Sequence, residues 1–510
     1  MPKFRSYNQH QSLLLPPSLS SCLPSDHICF IINDIVDHMD LSAITSTYSE
    51  NGSPAYDPKM MVKVLFYGYT QGLRSSRRIE TELYESIVYR YLSASQTPDH
   101  GTINLFRKTH LVGLKDEIFP QIVMLSGGIC GADMSDISVD GTKIKANASK
   151  KNNLDAEKIA KLRKRFSDIL AEAEAEDNAE DQKYGASRGY NAMPAGMADP
   201  EERKRRIKEV QAKLDQLKAA EGRIKDKQDQ VTAKEEKKSK KNSTSNTTDP
   251  DANLMKLKDG SYQMAYNAQF ATTDQIITAY DLNGESTDHS GLQPMIAGSE
   301  KNTGEEVKTV KADAGYFSKS NIGYCDTKEI DAYLPDPEKS TEERQERHDE
   351  VPKYDRRNFT YDGEADQFVC PEGKRMKLRN TTQSGAKRYI GTECHNCPVK
   401  EQCTKDKRRN ITYDFEQEKR IKAMREKLNS AEGKKKYLER MSEIEPVIGD
   451  LKHNRGLTHF LCRGKPTALI ELGLSSIAHN LVKTFQRLRK DKISRENIQW
   501  NSLMRLPAAG

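Results

Sequence analysis

Three acidic residues, far apart in the chain, have types and settings that suit one chemistry: Asp140, Asp313 and Glu445. Asp140 ends an apolar–polar alternation (DISVD) directly before Gly141, and Asp313 ends VKTVKAD directly before Ala314 and Gly315. Both stand where a strand pattern meets a loop, the position from which a parallel sheet presents its ligands. Glu445 lies in RMSEIEPVIGDLK, a helical pattern that starts or kinks at Pro446. Three oxygen ligands from separate elements suit Mg²⁺ or Mn²⁺, which prefer carboxylates and water. Two such ions about 4 Å apart clamp the attacking and leaving oxygens of an in-line phosphoryl displacement. An Asp before Gly is more often a turn residue, so spacing alone leaves both readings open.

A second group is Cys370, Cys394, Cys397 and Cys403, written C-P-x₂₂-C-x₂-C-P-x₄-C. Thiolates at such spacing close a zinc tetrahedron, which here would be structural and separate from the carboxylates. A small thiol-lined hydrophobic cluster is the competing reading. The total of nine cysteines is odd and four of them crowd together, which argues against an oxidised, secreted framework. Cys22, Cys29, Cys130, Cys325 and Cys462 read as ordinary buried or free thiols. His289, beside Asp288, reads as a cap or turn before the next helix rather than a general base. No role attaches to Trp500.

The elements that must position these residues follow from pattern. Residues from about 26 to 125 read as helices, with Pro58 at the start of one and Gly72 at its end. With Arg74, Arg77, Arg78 and Arg107 exposed, such a domain would grip a phosphate backbone; the alternative is a packing domain with ordinary solvated arginines. DISVDGTKIKAN reads as strand, turn at the Asp–Gly pair, and strand. Residues 154–235 are two charged helices broken at GYNAMPAGMADP, an antiparallel hairpin read as an exposed arm rather than a dimer contact. KEEKKSKKNSTSNTTDPD at 234–251 reads as a flexible linker. YQMAYNAQF and IITAYDL flank the turn TTDQ; then come helix SGLQPMIAGSEK, strand VKTVKAD, a helix over 318–328 and strand DAYLP. That order predicts a mixed sheet with helices packed on it. A polar, cysteine-containing insertion spans 336–429, and helices over 434–453 and 467–490 close the chain.

The 510 residues leave room for about two to four domains. Lys and Arg exceed Asp and Glu only by 81 to 75, so local distribution matters more than the net +6. KDKRR (405–409) and GKKK (433–436) are basic, and AEAEAEDNAEDQ (171–182) is acidic. No apolar run approaches a membrane span and the N-terminus lacks signal-peptide architecture, so the expectation is a soluble cytoplasmic protein without a membrane partner.

SVDGTKIKANASK, DANLMKLKDGSYQMAYNAQFATTDQ, VKADAGYFS and YLERMSEIEPVIGDLKHNRG, in this order, resemble the DDE transposases of bacterial insertion sequences. The branch is the one with a Tyr-Arg-Glu-Lys signature on the last catalytic helix, and the resemblance runs from about 30 to 485. It implies an α/β, ribonuclease-H-like mixed sheet with flanking helices, the first Asp on the first strand and the second after the fourth. The implied organisation is an all-α N-terminal domain at 1–125 that binds terminal repeats, and a catalytic core at 130–335 and 430–490. A charged helical insertion at 150–248 and the Cys-containing insertion at 336–429 interrupt the core. Asp140, Asp313 and Glu445 become the Mg²⁺ (or Mn²⁺) triad, and Tyr437, Arg440 and Lys452 position DNA.

The signature has three residues between Arg and Glu; here Met441 to Ile444 make four, while the six between Glu and Lys are kept. On a regular helix Glu445 and Lys452 share a face and Arg440 is rotated away unless Pro446 distorts the turn. Glu443 and Glu439 are substitutes for Glu445, their ordinary reading being solvated helix surface. The resemblance implies that water cuts a phosphodiester at each transposon end and that the freed 3′-hydroxyl attacks target DNA. The implied partners are double-stranded transposon-end and target DNA and a second copy of the chain on DNA, with no small-molecule substrate, at the bacterial nucleoid. Two rivals remain: a catalytically silent transposase-derived DNA-binding protein, which predicts a lost triad carboxylate, and a metal-dependent nuclease, which needs the same triad.

Overall fold

Alternating patterns on three long strands build the centre of the molecule, here a computed structural model that describes residues 18–48, 55–168, 200–229, 244–337, 352–382 and 385–504. The chain lays down β1 (Asp136–Lys145), a ribbon of β2 (Asn153–Asp155) and β3 (Thr244–Asn246), then β4 (Asn253–Lys256) and β5 (Tyr262–Thr273). β6 (Ile276–Asn283), β7 (Thr309–Ala312) and β8 (Asp331–Tyr333) complete the sheet. β5 runs antiparallel to β1, with Asp140 opposite Phe270, and β6 returns antiparallel along the other edge of β5. The turn between β5 and β6 holds Asp274 and Gln275 at φ 45° and 65°, the left-handed backbone that two-residue hairpins favour. β7 and β8 continue the sheet parallel to β1, giving the order β6-β5-β1-β7-β8, with β4 pairing the first part of β5.

Ten helices carry labels here. The N-terminal five are α1 (Ile28–His38), α2 (Pro58–Thr70), α3 (Ser76–Glu85), α4 (His100–His110) and α5 (Ile118–Cys130). Asp57 caps α2 by accepting from the Lys59 N–H at 2.7 Å, with Pro58 at the first turn, and Gly72 just past its end has φ 71°. α6 (Leu292–Thr303) and α7 (Lys319–Thr327) lie on one face of the sheet, and α8 (Phe415–Asn429), α9 (Ala431–Glu443) and α10 (Lys465–Lys490) end the chain. The sheet is sandwiched. Phe270, Tyr266 and Tyr280 face a core shared with α1, α2, α5 and α10, while Ile137, Val139, Val310 and Ala312 face α6 and α7.

Four expectations are corrected. β1 is one continuous strand, with no turn at Asp140–Gly141; its pairing with β5 runs unbroken through that pair, where the strand keeps glycine for space rather than for a turn. Arg74 and Arg107 are buried rather than exposed: Arg74 pairs with Glu471 at 2.6 Å and Arg107 donates to Tyr69 Oη and the Arg74 carbonyl, while Arg77 and Arg78 remain exposed. The linker read over 234–251 is structured from 244 on, since β3 pairs with β2 and buried Asp249 accepts from Tyr266 Oη and the Gly464 N–H. The helix read over 434–453 is broken at Ile444, where Pro446 cannot donate to Ser442 O; Gln275 Nε2 takes that carbonyl instead, at 3.0 Å.

In the charged segment, the helix over 156–168 packs on the helix Pro200–Asp229 through Ile159, Leu217, Ala220 and Ile224, with Arg163 paired to Glu221. The acidic run 171–182 and most of the break before Pro200 lie outside the described residues. The Cys-containing segment is an antiparallel meander of β9 (Thr360–Asp362), β10 (Gln367–Val369), β11 (Arg375–Thr381), β12 (Lys387–Gly391) and β13 (Asn410–Tyr413) around Phe359, Phe368 and Tyr389. Among the described residues no helix is long and apolar enough to cross a membrane.

Candidate active site

Side chains at every second position of β1 share a face. Ser138, Asp140 and Thr142 are three such positions, and each meets a residue of the last helical segment. Glu443 accepts from Ser138 Oγ, Arg440 Nη1 lies 3.2 Å from Asp140 Oδ2, and Lys452 Nζ donates to Thr142 Oγ1. The parallel register of β1 and β7 pairs Val139 with Ala312, so Asp140 and Asp313 are the next residues along two adjacent strands. Asp313 leaves β7 to cap a short 3₁₀ turn, its Oδ1 accepting from the Gly315 N–H at 2.9 Å, and Asp140 Oδ1 accepts from the Gly141 N–H at 2.8 Å.

The last helical segment breaks at Ile444, between Arg440 and Glu445. α9 delivers Arg440 to Asp140; after the break the turn Glu445–Gly449 and the π-helical turn Asp450–Asn454 follow. Glu445 Oε1 then lies 3.9 Å from Arg440 Nη2, with its side chain half exposed. Tyr437 sits under the Arg440 guanidinium, 5.9 Å from ring centre to carbon. The substitutes for Glu445 have other partners. Glu443 pairs at 2.8 Å with Lys311, a fully buried lysine of β7 that also pairs with Asp136; Glu439 pairs with Lys436 at 2.9 Å and stands 3.5 Å from Lys311.

Burial pushes the Asp140 carboxyl up to about 6; Asp313 and Asp288 add to the rise, while Arg440 and the Gly141 N–H oppose it. Asp313 is raised by burial and by Asp288, against the Gly315 N–H and Arg440. Burial and nearby Lys258 lower the Lys452 ammonium, with Asp140 opposing. Asp288 is the group that the sequence reading passed over, since its neighbour His289 drew the attention. His289 is exposed in the turn before α6 and its carbonyl accepts from Asn321 Nδ2. The available signal was Asn267 and Gln269, two amides two apart within the mainly apolar run MAYNAQFA: both are buried and both donate to Asp288 Oδ1, at 2.7 and 2.8 Å.

Carboxylates therefore gather at the end of β7, where β1 runs on. As they lie, no three Asp, Glu, His or Cys side chains among the described residues stand close enough to hold a metal ion. Space is nevertheless kept for them: a Cβ at Gly141 would overlap Asp288 Oδ1 and Gln269 Nε2, and one at Gly315 would lie 3.0 Å from Asp313 Oδ1. The four cysteines of the meander line one cavity with Phe359 and Met376, as free thiols.

Residues 369–485 match the model of the transposase DDE domain, and residues 17–109 match that of a transposase domain, DUF772. These matches indicate an insertion-sequence transposase. No curated protein and no solved structure matches the chain. The transposase DDE match takes in Tyr437, Arg440, Glu445, Lys452 and the four cysteines but begins after Asp140 and Asp313. Arg440 ties that segment to Asp140, and the register of β1 with β7 sets Asp313 beside it.

Proposed function

We propose that the chain is a metal-dependent DNA transposase that cuts transposon ends and joins them to target DNA, with Asp140, Asp313 and Glu445 as its carboxylate triad. One observation carries this reading: adjacent parallel strands set Asp140 and Asp313 next to each other, and Arg440, from the segment matched as a transposase DDE domain, reaches Asp140. The strand order β6-β5-β1-β7-β8, antiparallel then parallel, supports a ribonuclease-H-like core. The site suits Mg²⁺ or Mn²⁺ by the chemistry of its donors, all hard carboxylate oxygens, and by the space that Gly141 and Gly315 keep open among them. Bound there, divalent ions supply charge neutralisation and activate the attacking oxygen.

The chain's own residues do the rest. Asp140 and Asp313, next to each other on adjacent strands, would hold the cations. Glu445, half exposed beyond the break at Ile444 and 3.9 Å from Arg440, would complete the set. Arg440 and Lys452, aligned over β1, offer positive charge to the phosphates that flank the scissile bond, and Tyr437 stacks beside them. Catalysis then rests on alignment of water, and later of a 3′-hydroxyl, with the phosphodiester. The partners are transposon-end and target DNA, held by a dimer on DNA.

The test is cleavage and joining of DNA carrying the element's own ends, in Mg²⁺, by the wild type and by Asp140→Ala, Asp313→Ala and Glu445→Ala. The expected result is that each variant still binds DNA and neither cuts nor joins. Wild type that binds without cutting points to the silent DNA-binding protein, and cutting without joining to a nuclease. Zinc in the meander is part of the same proposal: Cys370, Cys394, Cys397 and Cys403 share one cavity as free thiols, the donor type that closes a zinc tetrahedron. Purified protein is then expected to carry one zinc that Cys397→Ser removes while the site at Asp140 still binds Mn²⁺.

A further inference from the structure

Asp288 stands beside the carboxylate pair without being part of any strand, in the turn that leads from β6 into α6. We infer that Asp288 is a further ligand of the divalent cation, shared with Asp313; this rests on the reading of Asp140 and Asp313 given above. Its orientation is fixed from behind. Asn267 Nδ2 and Gln269 Nε2 both donate to Oδ1, and buried Tyr316 donates its hydroxyl to Gln269 Oε1. The Gln269 amide is thus used at both ends and cannot flip without losing a hydrogen bond at each. Two amides on Oδ1 orient the Asp288 charge without neutralising it, since neither donor is a cation.

Oδ2 lies at Gly315, which Asp313 Oδ1 also borders. A Cβ at Gly315 would lie 3.0 Å from Asp313 Oδ1 and 3.2 Å from Asp288 Oδ2, so the two carboxylates flank one glycine. Gly141 admits Asp288 from the other side: it is the neighbour of Asp140 on β1 and faces the opposite side of the sheet, where its hydrogen leaves room for Oδ1. A side chain at Gly141 would overlap Asp288 Oδ1, and one at Gly315 would crowd both carboxylates. A residue needed only to tie β5 to the turn before α6 would be served as well by a neutral acceptor. Asp288 adds like-charge repulsion at Asp313 and Asp140, which Arg440 opposes from the Asp140 side and a cation between Asp288 and Asp313 would offset further.

The experiment is a calorimetric titration of the full-length chain with Mn²⁺ alone, for wild type, Asp288→Asn and Asp140→Asn, with circular dichroism to establish folding. Asn keeps an acceptor for the two amides and removes the charge. The expected result is that both variants fold and lose Mn²⁺ affinity by about ten-fold or more, the loss typical even of outer-shell partners. Wild-type affinity in Asp288→Asn with weakened binding in Asp140→Asn overturns this inference and leaves the site reading standing. Wild-type affinity in Asp140→Asn overturns the site reading and this inference with it. A measurement on wild type covers the case in which Asp288→Asn fails to fold: Fe²⁺ with ascorbate and peroxide cuts the backbone beside a bound ion. Cuts at 287–289 together with those near 140 and 313 are expected; cuts near 140 and 313 without them overturn the inference.

Discussion

At Asp140, burial and two neighbouring carboxylates work against ionisation while one guanidinium works for it, and the carboxyl is pushed up to about 6. An unfolded chain holds the same group near about 3.9. The folded state therefore binds the proton more tightly. The stability this contributes is full below about pH 4 and is lost as pH rises towards 6, so ionised Asp140 at neutral pH costs the metal-free protein about 3 kcal/mol. Asp140→Asn removes that cost. In urea denaturation with a chelator, the variant is expected to match wild type at pH 4 and to exceed it by about 2–3 kcal/mol at pH 8. Equal stability at both pH values would sink the account of burial at this residue. The acid at 140 was legible in the sequence, but its setting was not, since it lies in the middle of β1 rather than at a strand end. Asp288 was legible only in part: Asn267 and Gln269 stand out in β5, but their meeting with Asp288 beside a glycine of β1 is one that no local pattern records.

The element whose outcome differed most from its pattern is the last helical segment. Apolar spacing alone reads as one helix over 434–453, and on one helix Arg440 and Glu445, five residues apart, would point about 140° away from each other. Pro446 changes this, because it lacks the N–H that Ser442 O would accept, and Gln275 of the β5–β6 turn supplies a donor from outside. The break, and so the convergence of Arg440 and Glu445, was foreshadowed by the proline; the partner that stabilises the freed carbonyl was not. The continuous β1 was misread for a related reason, since Asp–Gly is a turn signal locally and only β5, pairing across it from Ser138 to Lys145, shows that the strand runs on. Pro446→Ala restores the missing donor. The helix is then expected to run through, with stability changed by no more than about 1 kcal/mol. End cleavage in Mg²⁺ should fall at least ten-fold, with DNA binding retained. Cleavage at the wild-type rate would show that the break does not aim Glu445.

Over the whole molecule, the N-terminal helices do not form a core of their own. Ile32, Leu65, Phe66 and Phe119 belong to the same buried cluster as Tyr266, Phe270 and Tyr280 of the sheet and Leu472, Ile477 and Leu481 of α10. Arg74 joins these parts with charge as well. Its guanidinium donates to Glu471 of α10 at 2.6 Å and to the carbonyls of His459 and Gly456, and both partners of the pair are almost wholly buried. Glu471 in turn accepts from the Leu461 and Cys462 N–H groups, which fixes the loop between the π-helical turn and α10. Gly72 closes the same joint from the other side: its φ is 71°, and a Cβ there would come within 2.9 Å of Asn454 O. Helical periodicity made the N-terminal helices legible but could not show that two of their arginines point inward, because a buried arginine is revealed only by its distant carboxylate. The segment carrying Lys452 is thus held by helices from the other end of the chain. Removing one charge from the buried pair leaves the other uncompensated, at a cost of about 3 kcal/mol or more. Glu471→Gln is therefore expected to lower stability by about that amount. Hydrogen exchange should show α2 and α10 losing protection together, since one core and one ion pair serve both. If α2 kept its protection while α10 lost it, the N-terminal helices would be a separate cooperative unit and the joint at Arg74 would not be what couples them to the segment that holds Lys452.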